Sequence, residues 1–290
     1  MIIVNIYGGL GNQLFQYAAG RQLAEKHRAT LKLDIRTFKS DRRREYSLHH
    51  FNIKEVFYTA FDKIIIRGKE RIGKVLNGIG IAAGRAIYVE QDLHFDKKIP
   101  ELGNNIYLDG YWGNERYFKA IENIIRNEFT VKNIPDGMNE MYLKKIRATN
   151  SIAIHVRRGD YVSNKETNAV HGVCSIPYYR EAIAQICSKL NNPFFFIFSD
   201  DILWVKENLV INEFPVDYIK HNYNLPQEDL RLMYSCRHNI IANSSFSWWG
   251  AWLNNNPGKI VIAPEKWSNI PGNKTVLPEH WIKLHDPLTV

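Results

Sequence analysis

The sequence predicts an α/β protein with parallel sheets, folded in two parts. Three observations carry this. Beyond residue 150, short runs that are apolar at every position alternate with amphipathic helical patterns, the mark of strands covered by helices on both faces. At the N-terminus a β-branched run, a glycine turn, a helical pattern and a second short run form half of a βαβ layout. Between them the polar stretch 131–150, with Pro135, Asp136 and Gly137 followed by a short helical pattern, reads as a hinge, so the parts are taken as 1–140 and 141–290. A chain of 290 residues is long enough for two domains of about 100–200 residues each.

The elements follow in order. Residues 2–6 (Ile-Ile-Val-Asn-Ile) are strand-like, and Gly8-Gly9-Leu10-Gly11 breaks the run. Asn12 is placed to cap a helix over 13–27, where Leu14, Phe15, Ala18, Ala19 and Leu23 recur at helical spacing. Residues 30–34 make a second strand. The segment 35–105, with the basic cluster Arg42-Arg43-Arg44 and a glycine-bearing run over 78–84, is expected to hold helices and loops that the pattern does not place. A strand is expected over 106–112 and a helix over 114–128. Past the hinge, the expected strands are 151–156, 194–198, 216–219, 239–242 and 259–263. The expected helices are 178–190, 202–209, 227–235 and 246–254. In such sheets ligands sit at the carboxyl ends of strands, so the residues just after each strand are where chemistry is sought.

Composition narrows the classes. Apolar residues make up 45% and charged residues 23%, which suits a globular core. The net charge of +8 points to an anionic partner: nucleic acid, an acidic membrane face or a nucleotide-type substrate. Cys174, Cys187 and Cys236 are three, widely spaced and without a C-x-x-C, so neither a disulfide framework nor a cysteine-rich zinc site is expected. No apolar run approaches the ~18 residues of a membrane span, and the N-terminus lacks the basic region of a signal peptide. The expected location is cytoplasmic, with peripheral contact at the inner membrane face left open.

Four segments could carry chemistry. His155-Val-Arg157-Arg158-Gly159-Asp160-Tyr161 leaves the carboxyl end of a buried strand. Its two guanidinium groups need an anion, and each offers a planar fork that suits phosphate. Gly159 is read as a tight turn, and Asp160 as an orienting or reacting carboxylate. Asn243-Ser244-Ser245-Phe246 opens a helix, where hydroxyls and N–H groups make a phosphate seat; simple capping is the plainer reading. Trp248, Trp249 and Trp252 read as packing. Asp200 and Asp201 follow a very apolar strand and could accept bonds from a guanine or ribose, or cap the next helix. They are adjacent rather than Asp-x-Asp, so no metal site is expected. Gly8-Gly9-Leu10-Gly11-Asn12-Gln13 approaches a dinucleotide fingerprint with Asp34 downstream, but Leu14 stands where that fingerprint needs glycine or alanine. It reads as a loop bringing N–H groups to a ligand, or as a tight turn.

Together these segments resemble the bacterial-type α-1,2-fucosyltransferases, the family that includes the blood-group H enzymes. The opening Gly8–Gln16 stretch is similar to the family's N-terminal signature, and residues 155–161 to an arginine motif shared with α-1,6- and protein O-fucosyltransferases. Residues 198–204, 243–250 and 109–118 resemble further family segments; the last has Gly113 where the family often has Gln. The resemblance implies a GT-B type fold of two Rossmann-like domains facing a cleft: an acceptor-side N-terminal domain and a C-terminal domain that binds GDP-fucose. It implies transfer to a galactose 2-hydroxyl in an oligosaccharide or lipid-linked glycan, inversion, and no metal or cofactor. By the same resemblance Arg157 clamps the pyrophosphate, Arg158 supports it, and His155 contacts the nucleotide. Ser244, Ser245 and the Phe246 backbone seat the β-phosphate, while Asp200 or Asp201 reads guanine or ribose. Gly9, Gly11 and Asn12 close over the fucose, and Trp112 and Glu115 line the acceptor. Asp160 is the first choice for the base and Glu115 the second. Two other classes remain: a nicotinamide-dependent oxidoreductase built on Gly9, Gly11 and Asp34, and a basic nucleic-acid binder.

Overall fold

The computed structural model describes residues 1–41, 44–78, 86–92, 94–270 and 276–286. Arg42, Arg43 and residues 79–84 of the glycine-bearing run lie outside the described residues. The chain divides into two units between Thr130 and Val131, earlier than the expected 140/141. The reason is local. The stretch read as a hinge holds a helix, Gly137–Ala148, whose Lys145 reaches Asp217 at 2.6 Å and whose Leu143 and Ile146 join the second unit's core.

The first unit carries β1 (Ile2–Asn5), α1 (Leu10–Lys26), β2 (Leu31–Asp34), α2 (Ala60–Gly78), β3 (Ile87–Val89), β4 (Ile106–Asp109) and α3 (Glu122–Glu128). Its sheet runs β2-β1-β4-β3, every pair parallel. Ile2, Ile3 and Val4 are fully buried, as strands covered on both faces must be. α1 crosses β1 closely at Gly20, where a Cβ would stand 2.2 Å from Val4 Cγ2. The helix begins at Leu10, capped by Gly9 rather than by Asn12, which lies inside its first turn. Gly8, at φ +76°, makes the turn. Buried Gln13 ties the turn down: Nε2 donates to the Gly8 and Glu45 carbonyls at 2.9 and 2.8 Å, and Oε1 accepts from Ser47 N at 2.8 Å. β4 stops at Asp109, short of 112, and the region expected as one helix is two single 3₁₀ turns followed by α3.

The second unit carries α4 (Gly137–Ala148), β5 (Asn150–Val156), α5 (Gly159–Ser163), α6 (Lys165–His171), α7 (Ile176–Cys187), β6 (Pro193–Ser199), α8 (Ile202–Asn208), β7 (Val216–Ile219), α9 (Pro226–Ser235), β8 (His238–Ile240), α10 (Ser245–Leu253), β9 (Val261–Pro264) and β10 (Ile282–Leu284). The sheet order is β10-β9-β8-β5-β6-β7, again all parallel. Ile152, Ile154, Phe195, Ile197, Ile240 and Ile262 form one buried layer against α7. Trp248, Trp249 and Trp252 are buried against one another and against Trp281, so packing is their role.

Both orders reverse once. In the first unit the chain builds β2 beside β1 and places β4 on the other side. In the second it builds β6 and β7 on one side of β5, and β8, β9 and β10 on the other. The gaps after β1/β4 and after β5/β8 are the topological switch points at which open parallel sheets bind ligands.

Candidate active site

In the second unit, parallel pairing puts Val156 of β5 beside Ser199 of β6, so the two loops that follow leave the sheet together. Arg157 Nη1 meets Asp200 Oδ2 at 2.8 Å, and Nη2 meets Asp160 Oδ1 at 2.5 Å. Asp200 also accepts the Arg158 backbone N–H at 2.9 Å. Arg158 Nε reaches Asp201 Oδ2 at 3.2 Å, and its guanidinium lies 3.5 Å from the centre of the Trp204 ring. Asp201 meanwhile caps α8, accepting from Trp204 N at 3.2 Å. Two guanidinium groups therefore share three carboxylates. Burial works against the Arg157 charge, but Asp200 and Asp160 outweigh it and hold its pKa above the usual value.

Gly159 is required by contact rather than by a left-handed turn. Its φ is not positive, and a Cβ there would stand 2.5 Å from Asp200 Oδ2. His155, at the end of β5, is buried with its ring 5.5 Å from Phe246. Burial, reinforced by Arg157, pushes its pKa down to about 3, so it is neutral at any physiological pH. Its Nδ1 is buried without a hydrogen-bond partner.

That segment closes the other side of the switch point. Asn243 is buried and braced: Nδ2 donates to the His171 carbonyl at 2.9 Å, and Oδ1 accepts from Cys174 Sγ at 3.4 Å. Tyr161, whose hydroxyl approaches the Asn243 carbonyl at 3.4 Å, stacks on His171 with ring centres 4.7 Å apart. Ser244 is the N-cap residue of α10, yet its side chain makes no capping bond. The first-turn N–H groups of a helix lack intrahelical partners, and here they lie at the carboxyl end of β8. His155, Arg157, Arg158, Asp160, Asp200, Asp201, Ser244, Ser245 and Phe246 are thus gathered around one crevice.

The residues named in the first unit gather at its own switch point. Tyr7, after β1, packs its ring 5.1 Å from that of Tyr111, after β4, and Asn5 Nδ2 donates to Asp109 Oδ1 at 2.9 Å. Gly9, Gly11 and Asn12 begin α1 there. Trp112 is 1% exposed, with the indole Nε1 buried and unbonded, and its backbone is left-handed at φ +55°. Glu115 opens a 3₁₀ turn and approaches Lys119 at 3.4 Å. Asp34, the acid of the dinucleotide reading, is occupied: Arg36 holds both its oxygens at 2.8 and 2.6 Å, and the Tyr107 hydroxyl adds 2.8 Å.

Sequence reasoning missed Glu90. Lying just after β3, it accepts Tyr111 N at 2.6 Å and Trp112 N at 3.1 and 3.2 Å, which fixes the left-handed turn. Burial raises its pKa to about 6. Its only sequence signal is a carboxylate after a short β-branched run. Trp204 and Asn243 were inside the quoted segments without a role. Among the described residues, no group of three or more His, Cys, Asp or Glu is placed to hold a metal ion, the three cysteines are unpaired with one another, and no helix is long and apolar enough to cross a membrane.

Residues 88–285 match the model of glycosyl transferase family 11. The chain is 36% identical to an alpha-1,2-colitosyltransferase of Escherichia coli, covering 92% of each chain. It is 33% identical to the O-antigen biosynthesis glycosyltransferase WbnK of Escherichia coli, covering 90% of this chain and 92% of that one. A galactoside alpha-(1,2)-fucosyltransferase 1 of Leontocebus fuscicollis is 26% identical over 57% of this chain and 48% of its own length.

Proposed function

The chain belongs to glycosyl transferase family 11, and from that premise we propose that it moves L-fucose from GDP-fucose to the 2-hydroxyl of a galactose, with inversion. The acceptor is a galactose-terminated oligosaccharide, free or lipid-linked. The observation that carries the reading is the Arg157 guanidinium, held by Asp200 at the switch point beside the first turn of α10.

In this reading the nucleotide lies along the ends of β5, β6 and β8. His155 Nδ1, unbonded in its buried place, gains a partner on the nucleotide. The pyrophosphate sits on the N–H groups of Ser245 and Phe246, with the Ser244 and Ser245 hydroxyls beside it. It takes over Arg157 Nη2 from Asp160, because a phosphate oxygen is a stronger partner for the fork than a carboxylate that is 35% exposed. Asp200, held also by the Arg158 N–H, keeps the guanidinium aimed. Asp160, displaced, then accepts the proton of the galactose 2-hydroxyl. The galactose oxygen bonds to the fucose anomeric carbon as the bond from that carbon to the β-phosphate oxygen breaks. The electron pair leaves with GDP, where Arg157 and the helix N–H groups meet the growing charge. This arrangement calls for no divalent ion, and turnover is expected to survive EDTA.

A second reading is favoured by the 36% identical relative, whose name specifies colitose. Colitose is L-fucose without the 3-hydroxyl, and the same phosphate chemistry serves both donors. The test is direct. GDP should raise Tm by far more than UDP or CMP, and turnover with GDP-fucose should be compared with turnover of the colitose donor on a galactoside. Equal stabilisation by UDP overturns the nucleotide assignment; turnover confined to the colitose donor replaces fucose with colitose.

A further inference from the structure

α2 is amphipathic in the wrong direction for a helix that only serves the core. Its buried positions are Asp62, Ile66 and Gly73, a narrow strip laid on the first sheet beside Ile3 and Ala86. Turned away from that strip, Phe61, Ile64, Gly68, Ile72 and Val75 recur at three- and four-residue spacing and so form one row. The four side chains of that row are 68%, 68%, 62% and 65% exposed. Large apolar groups in a contiguous exposed row mark a surface that meets something.

The charges beside the row say what. Lys63, Arg67, Arg71 and Lys74 fall together along one flank of it. None of the four is ion-paired among the described residues, whereas Asp62 and Glu70, the acids of the helix, are turned elsewhere and engaged: Asp62 with Lys32 at 2.6 Å and Glu70 with the Ala86 N–H at 2.7 Å. The exposed half of the helix is thus apolar and cationic with no anion in it. A second copy of the chain is a poor occupant. Antiparallel pairing through the row sets the basic flank against its own copy, and parallel pairing sets it against Lys69. An apolar row flanked by cations matches a lipid surface carrying anionic headgroups, where the row enters the acyl boundary and the cations stay at the phosphates. The net charge of +8 favours the same encounter.

We propose that the outer face of α2 binds the surface of an anionic lipid bilayer through Phe61, Ile64, Ile72 and Val75, flanked by Lys63, Arg67, Arg71 and Lys74. The inference does not depend on which sugar the chain transfers.

Flotation of the full chain with vesicles tests it. The protein should float with phosphatidylglycerol–phosphatidylcholine vesicles, remain below with phosphatidylcholine alone, and detach as salt rises. The pair Ile64→Glu and Ile72→Glu should abolish flotation. Arg67→Gln, Arg71→Gln and Lys74→Gln should each weaken it about fivefold. Both sets change exposed side chains, and circular dichroism with Tm verifies their fold; the charge set answers the question even if the apolar pair misfolds. Absence of flotation by the native chain overturns the proposal. So does flotation that neither set alters, or self-association in sedimentation equilibrium in place of vesicle binding.

Discussion

Asp200 Oδ2 and Arg157 Nη1 stand 2.8 Å apart across the carboxyl ends of two adjacent parallel strands, while the other oxygen of the same carboxylate takes the Arg158 N–H at 2.9 Å. One carboxylate thereby orients a guanidinium and fixes the loop that carries it. Asp200 or Asp201 is expected to read the base or ribose; the geometry of Asp200 gives it a prior occupation. Asp200→Asn keeps the shape and removes the charge. A positioning role predicts a fall in kcat of about 10², with KM for the donor little changed. A base-reading role raises KM instead. Gly159→Ala should imitate the kcat loss, since its Cβ would stand 2.5 Å from Asp200 Oδ2, and the end of a side chain gives way before the fold does.

Arg157 is the group assigned to the leaving phosphate. Arg157→Ala should lower kcat by about 10²–10³, the scale for losing a donor to transition-state charge. Arg157→Lys should rescue poorly, because an ammonium cannot span Asp200 and a phosphate at once. Melts must accompany the kinetics, since removing the cation leaves Asp160 and Asp200 facing each other. A folded Arg157→Ala variant with near-normal kcat rules out the role.

Glu90 predicts a pH effect with a definite sign. Its folded pKa, about 6, lies above the ordinary 4.5 because burial disfavours the charged form. The folded protein therefore holds this proton more tightly than the unfolded chain does. The stability gained is fully present below pH 4.5 and lost as pH rises through 6. Glu90→Gln removes that titration. The Tm of the variant relative to the native protein should rise between pH 4.5 and 6 and then level off; a difference independent of pH would refute the assignment.

Gly20→Ala is a pure packing test. The added carbon would sit 2.2 Å from Val4 Cγ2 and 2.9 Å from Leu31 Cδ1, between α1 and two strands that have no room to part. The expected cost is about 1–3 kcal/mol, read as a lower Tm, with donor KM unchanged in the protein that remains folded.

Much of the second unit was legible because its strands announce themselves. Runs such as Phe194–Phe198 are apolar throughout, and α7, α8, α9 and α10 each show their own period, whereas α5 and α6, of 5 and 7 residues, show none. The crevice was legible because many of its residues are consecutive: 155–161 runs from the end of β5 into α5, and 243–246 leads into α10. The Arg157–Asp200 link was not, since it depends on the register that puts Val156 beside Ser199. The first unit hid more. α2 turns its apolar row outward, so its pattern does not report a core. The stretch after Asp109 looks like continued strand, but Glu90, 22 residues before Trp112, bends it there. The helix expected over 114–128 fails at its start because the Asn114 side chain accepts the Arg116 N–H at 3.0 Å and caps a 3₁₀ turn instead. β10 is only three residues long and too short to stand out.

The two strand orders also differ in what they ask of a chain made from its N-terminus. In the second unit each strand, as it is completed, finds a partner already synthesised: β6 joins β5, β7 joins β6, β8 returns to β5, and β9 and β10 extend that side. The sheet can grow outward from its first strand without being reopened. In the first unit, among the described residues, β3 pairs only with β4, which follows it. On a ribosome, β3 must therefore wait, unpaired, until β4 has inserted between it and β1, and this strand is open meanwhile to a chaperone or a protease.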